Sequence, residues 1–216
     1  RLPENTYREL QLLARQYYQL TSMLIKAKVD FNALCDQVLP GMQELMSDHA
    51  GRHKLSNFVL RYCHTTHILE MGETRFRKDY CKWAEKKGYR NCERMAVLIF
   101  ATAQNGIPVL PNAPSTQIVI TEAIRVLHTV EASRDAILTQ MQALAKTLPE
   151  YSLVREMPCI GDTLAPRLIA EIGDVRRFHS KRALIAYAGI DAPPYQSGKF
   201  CANNRHISKR VNRYLR

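Results

Sequence analysis

The sequence predicts a mainly α fold, with long coiled-coil helices and a small C-terminal domain built around a helix-hairpin-helix turn. Three observations predict it. Apolar residues recur in alternating steps of three and four along two long stretches, the pattern of a helix seam that faces another helix. Short amphipathic runs lie between them, stopped by Gly72, Gly88 and Gly106. Beyond Pro149 an apolar–glycine turn leads into a helix with small residues near its start.

Thr6 followed by Glu9 has the spacing of a capping box, and the helix it opens is expected to reach Pro40-Gly41. Its seam runs through Leu10, Leu13, Tyr17, Leu20, Leu24, Ala27, Phe31, Leu34 and Val38. A strict seam of this kind favours a coiled coil over the wider stripe of a packed core helix. In the next region, a helix at about 73–87 carries Phe76, Tyr80, Trp83 and Ala84 on one side. Arg75, Lys78, Lys82 and Lys86 follow helical spacing on another, a face suited to nucleic acid or simply to water. Pro108, Pro111 and Pro114 mark a connector. A second long helix then runs to about Leu148. Its seam is Ile120, Ile124, Leu127, Glu131, Arg134, Leu138, Met141, Ala145 and Leu148. Polar residues at two seam positions cost stability but can fix register or partner. The two seams suggest an antiparallel hairpin, within one chain or between two.

Charge sharpens the picture. The formal net charge is +11, and from Tyr151 onward there are 12 Lys+Arg against 5 Asp+Glu. Lys199 to Arg216 has six basic residues and no acidic one. Such a concentration suggests a polyanionic partner, and with no apolar run approaching a membrane span nucleic acid is the leading candidate. The six cysteines form no CxxC pair and read as reduced thiols of a cytosolic protein. His49, His53, Cys63, His64 and His67 could stand one helical turn apart, but their spacing matches no common zinc pattern, so no metal site is assigned. The first residues do not resemble a signal peptide, and Asn212 to Arg216 reads like a helix cut off in mid-course, as in a segment of a longer protein.

Met157-Pro158-Cys159-Ile160-Gly161-Asp162 leads into Thr163-Leu164-Ala165-Pro166-Arg167. This is a helix-hairpin-helix pattern, in which the backbone N–H groups of Gly161, Asp162 and Thr163 would face a phosphate. Such contacts position DNA without reading its sequence. A tight turn between packed helices would look the same.

Further on stand Asp174-Val175-Arg176-Arg177-Phe178, Leu184-Ile185-Ala186-Tyr187-Ala188-Gly189, Gln196-Ser197-Gly198-Lys199 and Arg205-His206-Ile207-Ser208-Lys209-Arg210-Val211-Asn212-Arg213-Tyr214. With these motifs the sequence resembles the transposases of the insertion-sequence one-ten family, relatives of the Piv and MooV DNA invertases. The likeness is dense from Met157 to Arg216 and weaker upstream. It implies a recombinase in which an N-terminal RuvC-like domain, belonging upstream of Arg1, binds Mg2+ through four acidic residues. A C-terminal domain carries a nucleophilic serine, and a structured bridge RNA guides the reaction. The serine of the family's Ser-Gly motif falls on Ser197. Two residues depart from the pattern: Cys159 stands where the hairpin commonly has Gly, and Val211 where Gly is usual before Asn212.

The resemblance divides the chain into 1–115 (coiled-coil helix and helical insertion), 116–148 (second coiled-coil helix) and 149–216 (transposase domain, cut short at its C-terminus). Ser197 would attack a phosphodiester, while Lys199, Arg205, Lys209, Arg210 and Arg213 supply charge and DNA contacts. A base or Mg2+ would come from the implied upstream domain or another subunit, so this segment alone is expected to be inactive. The implied partners are DNA, a guide RNA and further copies of the chain, as dimer or tetramer. The implied location is the cytoplasm, at the nucleoid. The competing reading is a non-catalytic helix-hairpin-helix DNA-binding module with a dimerising coiled coil.

Overall fold

The computed structural model describes residues 4–46, 53–192, 196–197, 200–201 and 206–216. Among them the chain is mainly α, with ten α-helices and one two-stranded antiparallel hairpin. By packing it divides into two compact units, 1–20 with 133–216, and 21–132. These bounds fall inside both long helices.

Helix α1 spans Glu4–Val38 and α7 spans Pro114–Ala145. The α1 seam is borne out as an inward face. Leu10, Leu20, Leu24, Phe31 and Val38 are buried, while Leu13, Tyr17, Ala27 and Leu34 are half-buried. The capping box is not. Helix α1 already runs from Glu4, so Thr6 and Glu9 lie inside its first turns rather than before them. Two polar residues of the α7 seam meet polar neighbours: Glu131 lies 3.5 Å from the His53 ring, and Arg134 pairs with Asp135 at 2.6 Å.

The second unit contains α2 (Met42–Leu45), α3 (Lys54–Tyr62), α4 (Thr65–Glu70), α5 (Glu73–Lys86) and α6 (Cys92–Asn105). Its core is aromatic. Phe58, Tyr62, Phe76, Tyr80 and Trp83 are buried, with ring centroids 4.8 to 6.4 Å apart. The apolar side of α5 is therefore the one predicted, and Arg75, Lys78, Lys82 and Lys86 are exposed. Helix α5 ends as the sequence expects at glycine. Gly88 takes φ 73°, and Gly88 and Tyr89 donate back to the carbonyls of Glu85 and Ala84 at 3.0 and 2.8 Å. The proline connector is fixed to α1 by Val109 N–H on the Gln37 carbonyl at 2.8 Å. His64 is not free for a metal: it is buried, and its ring nitrogens meet Thr66 Oγ1 and the Leu110 carbonyl, each at 2.9 Å. His49 lies outside the described residues.

The first unit gathers its core from both ends of the chain. Tyr7, Leu10 and Ala14 pack with Met141, Ala145, Leu148, Ile169 and Ala170. After α7 come α8 (Glu150–Arg155), α9 (Leu164–Ile172), a 3-10 turn at Val175–Arg177, and α10 (Lys181–Ala188). Ser180 caps α10, its hydroxyl accepting from Ala183 N–H at 3.2 Å. The expected final helix does not form: residues 206–216 are irregular with one turn. Lys209 and Val211 take φ of 53° and 61°, a left-handed conformation in which a right-handed helix cannot continue.

Candidate functional site

The first candidate element is the turn between α8 and α9, residues 156–163. Cys159 there has φ 66°, the left-handed region that suits glycine. The carbonyl of Gly161 accepts from Leu164 and Ala165 N–H at 3.1 and 3.0 Å, which starts α9. The Asp162 carboxylate turns back onto α8, taking Tyr151 Oη at 3.0 Å and pairing with Arg155 Nε at 2.8 Å. That proximity and burial push the Tyr151 phenol up, burial being the larger cause. Gly161 and Asp162 are exposed, and a Cβ on Gly161 would meet nothing within 4 Å. Neither crowding nor backbone angle within the fold demands glycine at that position.

The second element is a small two-stranded hairpin. Strand β1 (Gln196–Ser197) pairs antiparallel with β2 (Phe200–Cys201), Ser197 opposite Phe200 and Gln196 opposite Cys201. Two-residue strands fall below the length at which alternation is readable in a sequence. Ser197 therefore stands at the last paired position before Gly198 and Lys199. Those two residues, and Arg205, lie outside the described residues.

The third element is the basic terminal segment, which is held without helical bonds. Ser208 N–H donates to the Asp191 carbonyl at 2.7 Å, and its hydroxyl bonds the Asp191 carboxylate. Lys209 N–H donates to the Gly189 carbonyl at 2.9 Å. The segment lies so close that a Cβ on Gly189 would stand 2.9 Å from Arg210 N, and Gly189 itself has φ 70°. Lys209, Arg210 and Arg213 are exposed around this anchor.

At the centre is a buried residue that sequence reasoning did not single out as functional. Asn212 is 5% exposed, and its Nδ2 donates to Glu171 Oε2 at 2.7 Å and to Tyr187 Oη at 3.2 Å. Its Oδ1 accepts from Tyr214 and Leu215 N–H at 2.9 and 3.2 Å. Glu171, 3% exposed on α9, also receives Arg15 Nε and Gln11 Nε2 from α1, each at 3.3 Å. The available signal was a lone carboxylate in the otherwise apolar run Leu168 to Ile172.

Residues 151–216 match the family described as "Transposase IS116/IS110/IS902 family". This segment is similar to IS110-type transposases. Over 208 residues, 96% of the chain, the sequence is 23% identical to the "Insertion element IS110 uncharacterized 43.6 kDa protein" of Streptomyces coelicolor. The chain spans about half the length of that relative, 50%. No solved structure matches the chain.

The matched segment does not close on its own residues alone. Its helix α9 shares a core with Tyr7, Leu10, Ala14, Met141 and Ala145, all upstream of residue 151. Ser197, Lys209, Arg210 and Arg213 lie within the match, as do Gly161, Asp162 and Thr163. Among the described residues no helix is long and apolar enough to cross a membrane.

Proposed function

We propose that the chain is the downstream part of a DNA transposase that exchanges strands through Ser197. The match of residues 151–216 to the transposase family carries this reading, and the hairpin position of Ser197 supports it. In the proposed step the Ser197 Oγ–phosphorus bond forms as a phosphorus–oxygen bond to deoxyribose breaks. A base takes the hydroxyl proton, and the departing sugar oxygen is protonated in turn. Lys199, Arg205, Lys209 and Arg210 balance the charge of the transition state.

The exposed Gly161 and Asp162 and the exposed Lys209, Arg210 and Arg213 support binding to a DNA backbone. Among the described residues no group of three His, Cys, Asp or Glu side chains could hold a metal ion. Mg2+ in an upstream acidic domain, guidance by a bridge RNA and a location at the nucleoid belong to the same proposal and rest on resemblance. Self-association is supported by exposed apolar side chains at Met23, Ile25 and Val29 on α1 and at Ile118, Val119 and Val126 on α7.

The test traps the longer transposase on a suicide DNA substrate and maps the attached peptide. Linkage at Ser197 is expected, with Ser197→Ala losing strand exchange but keeping DNA binding. Linkage at Ser208, Tyr195 or Tyr214 would overturn the assignment of Ser197. Recombination with no covalent intermediate would overturn the serine mechanism. DNA binding with no recombination at all would favour the non-catalytic helix-hairpin-helix module.

A further inference from the structure

Beside the buried Glu171–Asn212 pair, the first half of α1 and the terminal segment bring two tyrosines and two arginines together. The Tyr18 and Tyr214 rings meet edge to face, centroids 5.2 Å apart at 87°. The Arg15 guanidinium carbon stands 5.2 Å from the Tyr214 centroid and that of Arg213 stands 4.8 Å from it. Arg213 also donates to Tyr214 Oη at 2.9 Å.

We propose that Tyr18, Tyr214, Arg15 and Arg213 form a stacking platform for unpaired nucleotides of a nucleic-acid strand. Burial beneath the platform fixes its parts before any ligand arrives. Glu171 holds Arg15, and Asn212 holds the backbone of Tyr214, so both sides hang from one buried pair. Above it Tyr18 is 43% exposed and Arg15 and Arg213 are exposed. Aromatic rings interleaved with guanidinium planes offer π-faces and positive charge together, the combination that single strands use. A duplex keeps its bases stacked on one another and has no face to offer. An acidic protein would pair with the arginines but gain nothing from the tyrosine ring. Lys209 and Arg210, exposed on the same terminal segment, supply charge for the strand's phosphates.

The platform deepens the nucleic-acid reading of the C-terminal segment and rests on it. The test uses the 216-residue chain, a fluorescent twelve-nucleotide dT strand, the same strand with abasic sugars, and a duplex of equal length. Tyr18→Ala is expected to weaken the dT strand about tenfold, the loss of about one stacked base, and the duplex less than twofold. Tyr18→Phe should restore the affinity, and on the abasic strand wild type and Tyr18→Ala should bind alike. Equal weakening of strand and duplex, no weakening of either, or failure of Tyr18→Phe to restore would overturn the platform. A polyaspartate that displaces the normal and abasic strands equally well would also overturn it, in favour of an acidic protein partner. If the duplex binds while Tyr18→Ala changes nothing, only the platform falls. If wild type binds neither strand nor duplex, the nucleic-acid reading falls with it.

Discussion

Glu171 Oε2 and Asn212 Nδ2 lie 2.7 Å apart in the interior of the first unit, joining α9 to the basic segment at the end of the chain. A buried carboxylate without donors is costly, so this amide does more than tether a loop.

Asn212→Ala is expected to cost about 2 kcal/mol, because it strips a donor from buried Glu171 and frees the Tyr214 and Leu215 amides. Urea unfolding followed by far-UV circular dichroism measures it. A shift no larger than that of an exposed control such as Arg216→Ala would show that the pair contributes little.

Cys159 and Val211 both adopt the left-handed conformation that glycine takes without strain. Val211 is the more strained because it is β-branched, and it is 75% exposed, so no packing is lost on its removal. Val211→Gly is expected to stabilise by about 1 kcal/mol, the relief of strain less the entropy that glycine adds to the unfolded chain. Cys159→Gly should gain less. A lower melting temperature for Val211→Gly would refute this conformation.

Removing Lys209 and Arg210 together should weaken binding to every DNA sequence alike. If each meets one phosphate, the slope of log affinity against log salt should become shallower by about 2. A changed sequence preference at constant affinity, read by competition binding, would contradict a backbone role.

His128 gives the second unit a dependence on pH. Its Nε2 lies 2.9 Å from Ser56 Oγ, and its ring centroid lies 4.3 Å from that of His53. Burial lowers its pKa, His53 lowers it further, and Glu131 opposes them weakly. A base with a depressed folded pKa binds more protons when unfolded. Its contribution to stability is thus complete above its ordinary value near 6.5 and is lost as pH falls through that value toward the folded one. Urea midpoints should fall between pH 7.5 and 5, and the fall should be smaller in His128→Gln. An unchanged fall in the variant would assign the dependence to other groups.

Much of this architecture could be read from spacing. Every α1 seam position from Leu10 to Val38 is buried or half-buried, because a three-four rhythm has only one way to hide its apolar side chains. Gly88 ends α5 for a reason equally local. What escaped was either too short or too distant. The Gln196–Cys201 hairpin offers two residues a strand, and Thr6 with Glu9 matched a cap that helix α1 overruns. Glu171 meets Arg15 across 156 positions, a pairing that no local window contains.

Those long separations also set an order of assembly during translation. Gln11 meets Glu171 only after a further 160 residues have been made, roughly 8 to 30 s at ordinary ribosome speeds. Residues 21–132 can collapse in the meantime, since their partners are already present. Leu10 and Ala14 must wait with their apolar faces uncovered, which makes the nascent helix α1 a place where chaperones or aggregation would compete with folding.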